Sequence, residues 1–127
     1  MLAVDTNVLV RLVARDDAEQ VRSAEEFVAK GAWVSHLVLA ETLWVLDSVF
    51  ELSREQITTA VEMLLNHRDL TIQDADVVAS ALAHFRNRPV VDFSDCLLLE
   101  IAGKAGHLPV ATFDRNFAKL DDVQRLR

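Results

Sequence analysis

A chain of 127 residues, half of them apolar, has the size of one domain and can bury a core without staples, so a single domain over 1–127 is expected. Its net charge of −7, from 20 acids against 13 lysines and arginines, argues against nonspecific binding to duplex nucleic acid. That charge suits a carboxylate cluster neutralised by divalent cations, or a basic protein partner. Cys96 is the one cysteine, which excludes an intramolecular disulfide. No apolar stretch approaches the roughly 18 residues of a membrane span, and the first residues lack a basic leader and a small-residue cleavage site. A cytoplasmic location with no membrane association is the expectation.

The first predicted element is a strand, Leu2 to Asp5, apolar until it ends in Asp5-Thr6-Asn7. A helix near Asp17 to Lys30 leads to a strand from Ala32 to Ser35. His36 to Phe50 reads as a helix in which Glu41 interrupts an almost wholly apolar run from Leu37 to Leu46. Such a helix is expected to be mostly buried, so its acid needs a reason. Ser53-Arg54-Glu55-Gln56 is a capping box opening the clearest helix, with Ile57, Val61, Leu64 and Leu65 at helical spacing. After a strand at Leu70 to Ile72 and a helix from Asp74 to Asn87, Val90-Val91-Asp92-Phe93-Ser94-Asp95 enters a helix running from Ser94 to Ala105. Asp95 falls in that helix's first turn, and Asp92 lies one turn earlier. The strand Val110 to Phe113 again ends in an acid, Asp114, and Val123 to Leu126 reads as the last strand.

Strands separated by helix-length crossovers favour a parallel sheet covered on both faces, giving an α/β fold, a three-layer α/β/α sandwich with a central parallel sheet. In such sheets the ligand crevice lies beyond the carboxyl ends of the strands, where Asp5 and Asp114 fall. Each acid also has a structural explanation. Asp5 and Asp114 suit helix N-caps, Asp95 complements a helix dipole, and Glu41 fits a narrow polar stripe; capping and ligation are compatible. It is the conjunction of the four that points to a site. Hard cations such as Mg2+ and Mn2+ take oxygen ligands, and phosphodiester hydrolysis uses such ions to activate water and stabilise the leaving oxyanion, so no protein nucleophile is required. The chain offers no Walker loop, no GxGxxG and no nucleophilic triad with recognisable context.

With Asp5-Thr6-Asn7, Glu41, Asp92-Phe93-Ser94-Asp95 and Thr112-Phe113-Asp114 in this order, the sequence resembles the PIN domain, and within it the VapC toxins of toxin-antitoxin pairs, from residue 2 to Asn116-Phe117. The resemblance implies that Asp5, Glu41, Asp95 and Asp114 hold Mg2+ or Mn2+, that Asp92 shares the site, and that Thr6, Asn7 and Thr112 orient the carboxylates or a water. It further implies a metal-dependent endoribonuclease acting on structured RNA such as a transfer RNA or ribosomal RNA loop, a homodimer, and a basic VapB-like antitoxin. That antitoxin would occlude the site from a groove between helices and provide the one, indirect, link to operator DNA. Phe27, Leu43, Trp44 and Leu46, as exposed apolar positions on the helices after Asp17 and His36, are the expected antitoxin anchors.

Other readings stay open. A noncatalytic PIN-like interaction module would use the acidic face to bind a basic protein. A receiver-type domain would want an acceptor acid after a middle strand, where Leu70-Thr71-Ile72-Gln73 has none. His36, His67, His84 and His107 lack zinc-site spacing. Trp33 and Trp44, in apolar runs, read as core or interface anchors before base-stacking residues. Cys96 reads as packing. Arg11 and Arg15, one turn apart, suit RNA phosphate or a solvated helix face about equally.

Overall fold

The computed structural model describes all 127 residues and divides into two compact units, Met1–Ala75 and Asp76–Arg127. The first unit holds three strands, β1 (Leu2–Ala3), β2 (Ala32–Val34) and β3 (Leu70–Ile72), and four helices, α1 (Thr6–Ala14), α2 (Ala18–Val28), α3 (His36–Ser48) and α4 (Arg54–Asn66). The strands form one parallel sheet in the order β1-β2-β3, with Leu2 opposite Ala32 and Ala32 opposite Leu70. Each crossover is a helical pair, as parallel pairing requires. The Val4 amide donates to the Trp33 carbonyl at 3.1 Å, so the pairing carries on to the residue before Asp5.

Local chemistry explains the helix boundaries of this unit. Asp5, Asp17, Ser35 and Ser53 are N-caps whose side chains accept from the amides of Val8, Gln20, Val38 and Gln56. The capping box at Ser53 is formed in full, the Gln56 side chain accepting from the Ser53 amide at 2.8 Å. The residues after Asp5, for which the sequence pattern named no separate element, make α1, which packs on both α2 and α3. Leu9, Val10, Val28, Val34, Leu39, Leu46 and Val61 form the dry centre.

The helix α3 departs from the expectation of burial on most sides. Leu39, Thr42, Leu43 and Leu46 are buried, whereas Leu37, Glu41 and Trp44 are exposed, so apolar composition hides a two-faced helix. Two of the expected antitoxin anchors are corrected by this: Leu43 is 5% and Leu46 0% exposed, both facing inward, while Phe27 and Trp44 do reach solvent. Trp44, at 67% exposure, is not a core residue, and Trp33 is more than a third exposed.

The second unit holds most of α5 (Ala75–Asn87), then α6 (Phe93–Ala105), β4 (Val110–Thr112), a 3-10 turn at Phe117–Lys119 and β5 (Val123–Arg125). The strands β4 and β5 form a separate two-stranded parallel sheet, Val110 opposite Val123. The Phe85 and Phe93 rings meet edge to face at 5.6 Å, and His84 Nε2 lies 2.6 Å from Glu100 Oε1, so α5 and α6 are joined by an aromatic and a polar contact. Lys104 adds ion-pair contacts to Asp76 at 3.2 and 3.3 Å. Gly106, at φ 84°, ends α6 in the left-handed region, and the His107 amide closes the cap on the Ala102 carbonyl at 2.8 Å. Cys96 is fully buried and in no disulfide. The fold is thus α/β with every strand pair parallel. No helix is long and apolar enough to cross a membrane.

Candidate metal and nuclease site

In the first unit, Asp5 follows β1 by two residues and turns the chain into α1. Its Oδ1 accepts from the Val8 amide at 3.2 Å, so the carboxylate does cap the helix. One oxygen suffices for that bond, and Asp5 is exposed. Thr6, the next residue, donates its hydroxyl to Glu41 Oε2 at 3.0 Å, tying the start of α1 to the middle of α3. This bond supplies the reason Glu41 needed: it sits on the exposed face of α3, held by a residue of the Asp5-Thr6-Asn7 motif. Asn7 is exposed beside it.

In the second unit, Asp92 is the N-cap residue of α6 by backbone position, yet its side chain makes no capping hydrogen bond. Its carboxylate is therefore not spent on the helix end. Asp95, in the first turn, is half-buried, and its carboxyl is held above the usual carboxylate range, first by burial and then by the charges of Asp92 and Asp114. A carboxylate serving only to complement a helix dipole would be favoured in its charged form. Here the charges of Asp92 and Asp114 both bear on Asp95.

Asp114 follows β4 by two residues. Its Oδ1 accepts from the amides of Asn116 at 2.8 Å and Phe117 at 3.0 Å, and its own amide donates to Thr112 Oγ1 at 3.0 Å. Thr112 thus sets the backbone at Asp114, while the carboxylate organises the 3-10 turn. Within neither unit do three or more His, Cys, Asp or Glu side chains gather tightly enough to hold a metal ion. What each unit shows is smaller: Asp5 beside a Thr6–Glu41 hydrogen bond in one, and Asp92, Asp95 and Asp114 within electrostatic range in the other.

Arg11 and Arg15 are engaged by acids, Arg11 with Asp16 and Arg15 with Glu25, which favours the surface-face reading over phosphate contact. Phe113 carried no signal in the sequence beyond its place between Thr112 and Asp114, yet it is 72% exposed.

An α/β chain with parallel strands, acids following two of those strands and a further acid in the first turn of a helix has the outline of a nuclease domain. The sequence profile of the PIN domain matches residues 2–123, and the chain belongs to that family. Among curated proteins it is similar to a VapC ribonuclease of Aquifex aeolicus (strain VF5), 29% identical over 126 residues, a match covering 94% of this chain and 92% of the relative. No solved structure gives a significant match.

Proposed function

We propose that this chain is a VapC-type toxin, one PIN domain over 1–127 that hydrolyses phosphodiester bonds in structured RNA with the help of Mg2+ or Mn2+. The observation that carries the reading is Asp95, half-buried against the charges of Asp92 and Asp114 inside a chain whose family match spans both units. Carboxylates crowded in this way are costly without a cation, and the donor set is all oxygen, which fits a hard divalent ion. Asp5, Glu41, Asp95 and Asp114 are the residues proposed to hold it. When bound, the ion would supply Lewis acidity: activation of water and neutralisation of charge on the phosphate.

The chain's own residues prepare for that chemistry. Thr6 holds the Glu41 carboxylate through its hydroxyl, which fixes one donor before any ligand arrives. Thr112 and the turn amides of Asn116 and Phe117 fix Asp114 in the same sense. Asp92 adds negative charge that favours a cation beside Asp95. The similarity to a VapC ribonuclease supports the RNA substrate and, by extension, a basic antitoxin, a homodimer and a cytoplasmic setting. Phe27 and Trp44 are the expected antitoxin anchors that remain exposed.

Purified protein with Mg2+ or Mn2+ is expected to cut a folded RNA, and EDTA to abolish the cut. Asp5→Asn and Asp95→Asn should each lose about a hundredfold or more, because a neutral amide is a poor ligand for a hard cation. Cleavage that persists in EDTA, or full activity in both variants, refutes the mechanism.

A further inference from the structure

Every restraint on α3 bears on Glu41, because the helix carries that carboxylate near its middle. Burial sets the rotation of this helix weakly: residues 37–40 and 43–46 are all apolar, so turning it about its axis exchanges one apolar face for another. Hydrogen bonds, being directional, discriminate where burial does not. The first amides of a helix lack partners within it. In α3 the Val38 amide donates to Ser35 Oγ at 3.1 Å, a cap from the residue just before the helix. The His36 amide donates instead to Gln73 Oε1 at 2.9 Å, a partner 37 residues away.

Gln73 directly follows β3 and makes two contacts at once. Its backbone amide donates to the Val34 carbonyl at 2.8 Å, continuing the β2–β3 pairing by one residue, while its partly buried side chain takes the His36 amide. The two bonds fall on either side of Ser35, the corner at which β2 turns into α3. Main chain holds the end of the strand, and side chain holds the start of the helix. Thr6, which follows the opposite edge strand β1, bonds only the tip of Glu41. Glu41 lies five residues beyond His36, about 7.5 Å along the axis, so a shift at the helix start is carried to it. We propose that Gln73 is a positioning residue that sets the rotation and depth of α3, and so delivers the Glu41 carboxylate to the Thr6 hydroxyl and to the cation. This role rests on the reading of Glu41 as a metal ligand, and every residue involved belongs to the first unit.

Gln73→Leu keeps the bulk of the side chain and removes the acceptor, whereas Gln73→Glu keeps an acceptor at the same reach with a charge that suits a helix N-terminus. Gln73→Leu is expected to lower kcat about tenfold with KM for RNA little changed, and to raise the Mn2+ concentration for half-maximal thermal stabilisation about tenfold. Gln73→Glu should recover most of both losses. Where Gln73→Leu does not fold, Gln73→Asn, one methylene shorter, reads the same effects. Losing a cap also lowers Tm by roughly a few degrees, so Ser53→Ala, which uncaps α4 in the same unit, is the control: its Tm should fall similarly with kcat and the Mn2+ response unchanged. In the Glu41→Gln protein, with residual cleavage read above the metal-free background, adding Gln73→Leu should cost nothing further, because the carboxylate it positions is gone. A wild-type kcat and Mn2+ response in Gln73→Leu, equal losses in Ser53→Ala, no recovery in Gln73→Glu, or losses that multiply in the double variant overturns the proposal. A wild type that cuts no RNA refutes the ribonuclease reading instead, and the Mn2+ titrations of the wild type and the two Gln73 variants then decide the role by themselves; a wild type that also ignores Mn2+ overturns it.

Discussion

Asp114 is where helix capping and catalysis are most easily confused, and two substitutions separate them. Its Oδ1 accepts from two backbone amides, those of Asn116 and Phe117, which no other side chain satisfies in that turn. Asparagine retains an acceptor oxygen in the same place and caps about as well as aspartate, so Asp114→Asn is expected to change stability by no more than a few tenths of a kcal/mol. Alanine leaves both amides to water. Asp114 itself is exposed although Phe117 is buried, so Asp114→Ala should cost about 1 kcal/mol, the usual loss of a cap, which for a domain of this size lowers Tm by roughly 2–6 °C. Activity should divide the variants differently. Both remove a charged donor, so both should fall by about a hundredfold or more in metal-dependent cleavage, the asparagine variant while still melting like the wild type. Thermal melts and initial cleavage rates on the same preparations measure the two effects side by side. An asparagine variant with near wild-type activity, beside an alanine variant that loses activity only as it unfolds, would reduce Asp114 to a cap and refute the reasoning.

The raised carboxyl of Asp95 makes a signed statement about pH. Its folded state holds the proton more tightly than the unfolded chain does, so its contribution is most favourable below the unfolded value near 3.8 and is lost as pH rises through the raised folded one. Metal-free Asp95→Asn is therefore expected to melt at or above the wild-type temperature at neutral pH, with the difference vanishing in acid; clear destabilisation at neutral pH would contradict it. Bound Mn2+ should stabilise the wild type more than this variant, as differential scanning fluorimetry with and without the ion would show. Thr6→Val removes the hydroxyl that holds Glu41 and should lower cleavage about tenfold to a hundredfold, with recovery in Thr6→Ser; full activity in the valine variant would leave that hydrogen bond without a role. On α3, Leu46→Ala empties a fully buried site and should cost about 2–5 kcal/mol, whereas Trp44→Ala should stay within about 0.5, a contrast that denaturant titration reads directly.

Much of the fold is legible in the sequence because its signals are local. Four of the five strands fall where short, mostly apolar runs end in polar residues, β5 (Val123-Gln124-Arg125) being the exception, and the capping box at Ser53 announces α4 through a bond between residues three apart. The acids at strand ends are legible for the same reason: Asp5 and Asp114 each close an apolar run, and chain order alone matches them to a family. What the pattern could not supply was orientation. In α3 nearly every side chain is apolar, so composition says burial on all sides, and only packing against α1 and α4 decides that Leu43 and Leu46 face inward while Leu37 and Trp44 do not. The Thr6–Glu41 bond spans 35 residues, and no periodicity reports a contact of that range. Asp92 acts on Asp95 within one helical turn, but the pressure of Asp114 on Asp95 exists only once α6 and the end of β4 are folded beside one another, since charge acts through distance in space and not along the chain.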